Sequence, residues 1–263
     1  MIAGIRLHIE IGDAIIQRCP RLQINSVRHR PLDVAVVDIP DARAEAAQIF
    51  FPGDPVRIEY GYRGGESAVW EGTLRGIKRI SRDQVSLLVD GKALPLTTTF
   101  VRDCYADESS VAIASHLLGH TGLSVARIDI PNEAISRFPV SDIPVWQAVR
   151  QLLQTLRQAY GHDMDRAALW LGATGLNLGD FDEAGNVPVI ATGENLIRHL
   201  PAQASHSHHS VESALLPGMA HSRLFRLIDM RLGVDEMLRA LSVRHEVTPD
   251  EITTKIQFGR ERG

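Results

Sequence analysis

Alternation of apolar and polar residues with a period of two constrains this chain more than any other feature. Residues 5–11 (Ile-Arg-Leu-His-Ile-Glu-Ile) place four aliphatic side chains on one face of an extended strand. Residues 56–60 and 252–258 follow the same pattern. The pattern predicts strands that turn one face toward a core, near both ends of the sequence.

Turn-forming residues separate these strands at regular intervals. The cluster at 51–55 (Phe-Pro-Gly-Asp-Pro) predicts a stop followed by a new strand, and the Gly-rich segment 61–66 predicts a hairpin connection. The returning strand covers 69–77, and its glycines, Gly72 and Gly76, fit bulges or barrel corners better than a flat sheet. This spacing is typical of an antiparallel barrel or sandwich.

Two helices are predicted in the middle of the chain. Residues 107–110 form a helix-start signature, and Gly119 or Gly122 ends that helix. A stronger helix is predicted with Ser141 or Asp142 as its cap, Pro144 in its first turn and Gly161 at its exit. Its apolar positions recur every three or four residues, which predicts one packed face; they are Val145, Trp146, Val149, Leu152, Leu153, Leu156 and Tyr160.

The last third of the chain returns to β-structure. The small, polar segment 200–211 is predicted to be a loop, and strands are expected at 223–230, 242–247 and 252–258. The order is therefore β-rich, then mixed, then β-rich. We expect an α+β, mostly β fold whose middle α/β region carries the two helices.

Composition excludes several classes of protein. The apolar fraction of 44% suits a folded chain, and the longest apolar runs fall far short of the ~20 residues of a membrane span. No signal-peptide pattern is present at the start, so we expect synthesis in a cytosol. The net charge of −4 offers no basic field for nucleic acid. The two cysteines lie far apart, which makes a disulfide framework improbable.

Motifs for catalysis do not stand out in this sequence. There is no Gly-x-Ser-x-Gly elbow, and the Gly-rich segment 61–65 joins two strands, so it lacks the helix N-terminus that cradles phosphate. Carboxylates of the kind that glycosidases pair fall in turn-like sequence, where turn and cap roles are the expected ones; they are Asp163, Asp165, Asp180, Asp182 and Glu183. We expect no catalytic residues and no cofactor.

Histidines form two groups. His116 and His120 have the four-residue spacing that can hold a metal from one helix face, but Leu117 stands where a zinc protease needs glutamate. The denser group contains His206, His208 and His209, with His199 and His221 nearby. We expect helix-surface positions for the first group and a solvated or interface loop for the second, with no metal site in either.

Two groups of motifs resemble a known family. Residues 53–62 (Gly-Asp-Pro-Val-Arg-Ile-Glu-Tyr-Gly-Tyr), followed by 70–77 (Trp-Glu-Gly-Thr-Leu-Arg-Gly-Ile), are similar to a hairpin of phage baseplate hub proteins. A Pro-Gly pair in 216–219, a Val-x-His strand at 243–245 and a threonine-led strand at 253–258 resemble the closing barrel of that family. It includes the Mu-like tail hub, the late-control protein D group, and the N-terminal hub region of type VI secretion spike proteins.

The resemblance implies a homotrimeric ring that joins a tail tube to a central spike. It places a first tube-like β-barrel at 1–95, a middle α/β region at 96–200 and a second tube-like barrel at 201–263, with strands shared with the middle region. The implied partners are copies of the chain, a spike protein and a tail tube or distal tube protein, with baseplate wedge or tape-measure proteins as further possibilities. The implied location is the tail of a particle assembled in the host cytoplasm.

The sequence departs from the family in ending soon after its last strand, so a separate spike protein is expected. A tail-tube adaptor, a tail-associated cell-wall hydrolase and a metal-binding module at the His-rich loop stay open as alternatives. Aromatic side chains contribute much of the contact energy at interfaces. We expect seven residues to be core or interface anchors or interface loop residues; they are Tyr60, Tyr62, Arg63, Trp70, His206, His208 and His209.

Overall fold

A computed structural model describes residues 4–16, 18–183, 185–202 and 208–259. The strands in these ranges are β1 Ile5–Ile11, β2 Ala14–Ile16, β3 Arg21–Val27, β4 Val34–Pro40, β5 Pro55–Tyr62, β6 Ser67–Arg79, β7 Gln84–Gly91, β8 Phe100–Ser109, β9 Val125–Asp129, β10 Ala134–Pro144, β11 Ala168–Gly172, β12 Gly175–Gly179, β13 Val189–Ala191, β14 Leu196–Leu200, β15 His209–Ala214, β16 Leu224–Asp229, β17 Val234–Arg239, β18 Ser242–Val247 and β19 Ile252–Phe258. The helices are α1 Ala46–Ile49, α2 Pro95–Thr98, α3 Ser110–Gly119 and α4 Val145–Tyr160. The protein is thus mostly β, as the sequence predicts.

The chain forms two compact units. The first takes the described residues of 1–27, 33–92 and 184–260, and the second takes 28–32 and 93–183. The first unit therefore combines strands from both ends of the sequence. The division into three domains stays a prediction.

The first unit is built on one long sheet and one short sheet. The strand order of the long sheet is β14-β15-β19-β18-β3-β4-β7-β6-β5-β1-β2, and the short sheet is β13-β16-β17. Antiparallel pairing of β18 with β3 joins the two ends of the chain. Among the described residues β2 and β14 have one partner strand each, so the sheet is open at both ends. The tube-like barrels stay a prediction.

The aliphatic side chains of the period-two pattern in β1 and β5 lie in the core of this unit, as predicted. Ile9 of β1 lies opposite Ile58 of β5, and Ile11 lies opposite Val56, all buried. Burying an aliphatic side chain of this size contributes about 1.5–3 kcal/mol before the entropy cost of ordering it. The alternating face of β1 and β5 is therefore what fixes their register.

The predicted irregularity of β6 is confirmed. The register against β7 shifts between Leu74 and Gly76, which is a bulge. At Gly72, an added Cβ would lie 2.2 Å from the carbonyl oxygen of Asp90. Glycine at this position lets two strands approach more closely than any side chain allows.

The second unit packs α3 and α4 against the β8–β10 pair and the sheet of β11, β12 and β9. Ser109 caps α3 by accepting a hydrogen bond from the N–H of Ala112 at 3.2 Å, and Gly161 ends α4 in the left-handed conformation. Both predicted helices are confirmed, but the predicted cap of α4 at Ser141 or Asp142 is wrong, because these residues lie in β10 and the helix begins directly after Pro144. The face of α4 that lies in the core consists of Val145, Ala148, Val149, Leu152 and Leu156.

Arg28 is the largest fully buried side chain of the second unit. Its guanidinium donates to the carbonyl oxygen of Arg166 at 2.9 Å and lies over the Trp170 ring, 5.0 Å from the ring centroid. Asp180 lies 3.9 Å from the same group. The contacts hold segment 28–32 in this unit, since a buried charge is tolerated only with such partners.

No helix in the described part of the chain is long and apolar enough to cross a membrane.

The loop predicted at 200–211 is wrong at both ends, because Leu200 is the last residue of β14 and residues 209–211 lie in β15. Strand β15 begins at His209, and its backbone pairs with β19. The polar composition hid this strand because its partner, and not its own side chains, determines its conformation. Residues 203–207, which include His206, lie outside the described residues.

Truncating the buried face of α4 should lower stability strongly. Leu152 is fully buried, so Leu152→Ala removes apolar contacts and leaves a cavity that costs about 2–5 kcal/mol. Urea denaturation followed by circular dichroism measures the loss. The exposed neighbour provides the control: Gln151→Ala should change the unfolding free energy by less than about 0.5 kcal/mol. Equal effects of the two substitutions would contradict this account of the core.

Candidate assembly interface

Strands β2 and β14 form the two outer edges of the long sheet. Their outward residues include Ile15, 59% exposed, with Ile197 and Leu200 of β14 also half exposed or more. An edge strand leaves a row of backbone N–H and C=O groups without ladder partners, which makes it a template for a further strand. These edges can therefore pair with another polypeptide by main-chain hydrogen bonds and bury aliphatic side chains in doing so.

A buried contact between an imidazole and a carboxylate fixes the position of the β14 edge. His199 Nδ1 lies 2.9 Å from Asp229 Oδ2 of β16, and both side chains are about 5% exposed. The His199 ring also contacts Phe258 of β19, with 5.9 Å between centroids. The edge strand is thus anchored to both sheets of the first unit and keeps its outer side in place.

The short sheet presents a third edge at β17. Met237 on this strand is 53% exposed, and the preceding turn exposes Met230 and Leu232. Methionine is flexible and polarizable, so it adapts to irregular partner surfaces. In the described part of the chain, β17 pairs with β16 alone.

Two tyrosines of the predicted hairpin connect β5 to the segment before β16. Tyr60 is buried, and its phenol oxygen accepts a hydrogen bond from the N–H of Gly218 at 3.4 Å. Burial raises the pKa of Tyr60 to about 12, so the phenol stays neutral. Tyr62 donates its hydroxyl hydrogen to the carbonyl oxygen of Leu215 at 3.0 Å.

His245 lies at the centre of the same region and is fully buried. Its Nε2 is 2.7 Å from the carbonyl oxygen of Met219, so this nitrogen carries the hydrogen. Its Nδ1 is 2.9 Å from Thr254 Oγ1, which in turn accepts from the N–H of Leu216. Burial lowers the pKa of His245 to about 4, and the neutral ring satisfies both of its nitrogens.

We call this group the His245 junction; it consists of Tyr60, Leu216, Gly218, Met219, His245 and Thr254. The Tyr60 and His245 rings contact each other with 5.2 Å between centroids. The junction brings together the early hairpin motif, the Pro-Gly pair, the Val-x-His strand and the threonine-led strand. The motifs that carried the resemblance are therefore neighbours in space, and their role in this chain is to hold the first unit together.

The remaining predicted residues lie nearer the surface. Trp70 on β6 is half-buried against the core, and Arg63 is exposed in the hairpin turn, where its backbone N–H donates to the Gly4 carbonyl at 2.8 Å. His208 is exposed. The structure does not bring these three side chains into one cluster with the His245 junction, and their role at an interface stays a prediction.

The described part of the His-rich segment does not form a histidine cluster with a shared centre. His209 stacks on Phe258, with 5.3 Å between centroids and 25° between ring planes. Its ring lies 6.4 Å from that of His199. His209 is therefore a packing residue of β15, which the sequence could not show because the strand itself was not predicted.

The exposed edge residues Ile15, Ile197 and Met237 were missed by sequence reasoning. Ile15 and Ile197 stand in short apolar stretches and Met237 follows two acidic residues, and no local signal tells an edge strand from a central one. Their position became visible only from the order of strands in the sheets.

No protein-family model matches this chain, and no curated protein matches it in sequence. Solved structures do match. A tail protein from Neisseria meningitidis MC58 is 14% identical, with a TM-score of 0.66 over 97% of this chain and 96% of that one. The 43 kDa tail protein of prophage MuSo2 from Shewanella oneidensis is 12% identical, with a TM-score of 0.68 over 98% and 97%.

This chain has the fold of phage tail proteins.

The fold extends to a secretion system. An E. coli component of the type VI secretion system, described as structurally similar to the T4 bacteriophage tail proteins gp27 and gp5, matches with a TM-score of 0.67 at 7% identity. The match covers 99% of this chain and 79% of that one. The resemblance to tail and baseplate hub-type proteins, predicted from short motifs, is thus confirmed as a shared tail-protein fold.

Acidification should weaken the tail-protein fold through His245. In the unfolded chain this imidazole takes up a proton below its ordinary pKa of about 6.5, whereas the folded form resists protonation down to about pH 4. The contribution of His245 to the free energy of unfolding is therefore fully present above pH 6.5. It is lost as the pH falls from 6.5 to 4, by about 3 kcal/mol in total. Urea denaturation at a series of pH values measures this.

The substitution His245→Gln removes the titrating ring, so its stability should be lower at neutral pH and should fall less steeply over the same interval. The exposed His208→Gln is the matched control and should keep the slope of the parent chain. A His245→Gln slope equal to that of the parent chain would show that the junction does not titrate as described.

Proposed function

We propose that this chain is a structural hub subunit, forming a ring that connects the tail tube to the central spike of a phage tail or a tail-derived injection particle. The observation that carries the proposal is the shared fold: two phage tail proteins match over nearly the whole of both chains, and a type VI secretion component matches over the whole of this one. Each of these relatives comes from an injection particle or its phage counterpart.

The open edges support assembly into a ring. Copies of one chain that meet through unlike surfaces close into a ring when the rotation between them permits. Strands β2, β14 and β17 offer unlike edges on the same unit, each with exposed aliphatic or methionine side chains. In the proposed homotrimer each copy contributes two tube-like β-regions, so that three chains match a sixfold tube. The tail tube or distal tube protein and a spike protein are the proposed partners, with baseplate wedge or tape-measure proteins as further ones.

Ion pairs and turns account for the carboxylates that a hydrolase would need. Asp165 lies 2.6 Å from Arg157, and Asp180 lies 3.4 Å from Arg166. Glu183 accepts a hydrogen bond from the N–H of Ala173 at 2.9 Å. These roles favour a structural subunit over a tail-associated cell-wall hydrolase, and the proposed location is the tail of the particle.

Charges placed on the outer edges should block assembly without unfolding the subunit. Lysine on an edge strand opposes pairing with a further strand, so Ile15→Lys combined with Ile197→Lys should shift the trimer toward monomer. Both positions are more than half exposed, so the melting temperature should change little. Sedimentation velocity over a range of concentrations measures the assembly state.

Ile80→Lys is the matched control, because Ile80 is 51% exposed and lies just beyond the end of β6, away from the outer edges. It should leave the trimer intact. A parent chain that stays monomeric at high concentration, alone and with a spike protein, would overturn the hub proposal, and a stable hexamer would favour the tail-tube adaptor instead.

A further inference from the structure

Three polar side chains of the second unit converge at the surface between β8 and α3. Asp103 lies on β8, and His116 and His120 lie one helical turn apart on α3. One potential ligand atom from each residue lies within 4.8 Å of the other two. Strand β8 thus adds a carboxylate to the histidine pair. From the sequence alone, the pair lacks a third metal ligand.

One of the three separations already matches that between two ligands of a small cation, and the other two are at most 4.8 Å. His120 Nε2 lies 3.2 Å from Asp103 Oδ2. Two ligands bound tetrahedrally to the same zinc ion, each at 2.0–2.1 Å, are about 3.3 Å apart. The rings of His116 and His120 are almost perpendicular, with 4.8 Å between centroids, so neither ring blocks the other from the shared space.

Tyr105 provides an orienting contact beside these three residues. Its hydroxyl lies 2.8 Å from His116 Nδ1 and 3.4 Å from Asp103 Oδ2. The Tyr105 ring contacts Phe138 of the paired strand β10, with 6.3 Å between centroids. Ligands of metal ions are commonly held by such outer contacts.

The donor set selects the class of ion. Imidazole nitrogen suits zinc, copper, nickel and iron, whereas magnesium and calcium prefer sets made of oxygen alone. Two imidazoles and one carboxylate leave at least one coordination position for water or for a ligand from outside, as in open zinc sites. The half-exposed positions of Asp103 and His120, each about 37% exposed, give such a ligand access.

We propose that Asp103, His116 and His120 form a binding site for one divalent transition-metal ion, with Zn²⁺ as the representative, and that the ion links β8 to α3. The sequence predicted no metal site at His116 and His120 because only the histidine pair was visible in it. Asp103 of β8 adds a third ligand, and the proposal therefore replaces that prediction. The proposal does not depend on the hub assignment, because all of its ligands belong to one subunit.

Titration of untagged, metal-stripped full-length protein with zinc chloride tests the site. Isothermal titration calorimetry should show one equivalent bound with micromolar affinity or tighter, and zinc should raise the melting temperature. The variant His116→Gln/His120→Gln should lose both effects. Tyr105→Phe should keep the stoichiometry and weaken binding by roughly tenfold, as expected for an outer contact.

Two control variants separate this site from other histidines. His162→Gln removes a histidine of the same unit whose Nε2 lies 2.7 Å from Glu133 Oε1, and it should bind zinc as the parent chain does. A variant lacking His206, His208 and His209 should also bind one equivalent of zinc. Absence of binding in the parent chain, or binding that survives in His116→Gln/His120→Gln, would overturn the proposal. Binding lost only with the His-rich loop would overturn it as well.

Discussion

A buried, neutral imidazole holds the first unit of this protein together. His245 has no contact with water, and an imidazole without partners in that position would be strongly destabilising. Instead Met219 accepts from one ring nitrogen and the Thr254 hydroxyl donates to the other. Because Thr254 also accepts from the N–H of Leu216, the segment that leads into β16 is fastened to β18 and β19 by a single connected network.

The first unit has hydrogen-bonded polar groups at the His245 junction, in contrast to its strand edges, which lack partner strands. The polar atoms of the His245 junction have partners, whereas β2, β14 and β17 keep one side free of partner strands in the described part of the chain. Monomeric proteins commonly protect such edges with charges, prolines or short strands. Strand β2 is short and β17 carries acidic residues, but Ile15 and Ile197 are exposed on the two edges of the long sheet. Strand edges without partners are places where a further strand can pair.

The second unit has an apolar core of its own. Helices α3 and α4 bury a continuous aliphatic face, and the buried Arg28 adds a polar contact to the carbonyl oxygen of Arg166. At the surface of this unit, β8 and α3 bring a carboxylate and two imidazoles together. Each unit therefore combines an apolar core with a buried, hydrogen-bonded polar side chain, His245 in the first and Arg28 in the second.

Hydrophobic periodicity and turn residues were sufficient to predict the strands, hairpin and helix that have strong local signals. The alternation at 5–11 and 252–258, the hairpin at 61–66 and the stripe of the helix ending at Gly161 each reflect a period or a turn residue that acts within a few positions. Strands β3, β4, β8 and β10 were missed. The sequence of β8 carries several charged residues and little apolar alternation, because much of this strand faces water.

Pairings between distant segments were decided only by the tertiary structure. Nothing in residues 22–27 shows that they lie beside 242–247, and nothing near His116 shows that Asp103 will face it. The sequence determined a β-rich chain with two helices and a set of motifs in the right order. Which edges stay open, and which polar groups meet, depends on how the strands are ordered in the sheets, since that order is set by the fit of the whole core and not by any local period.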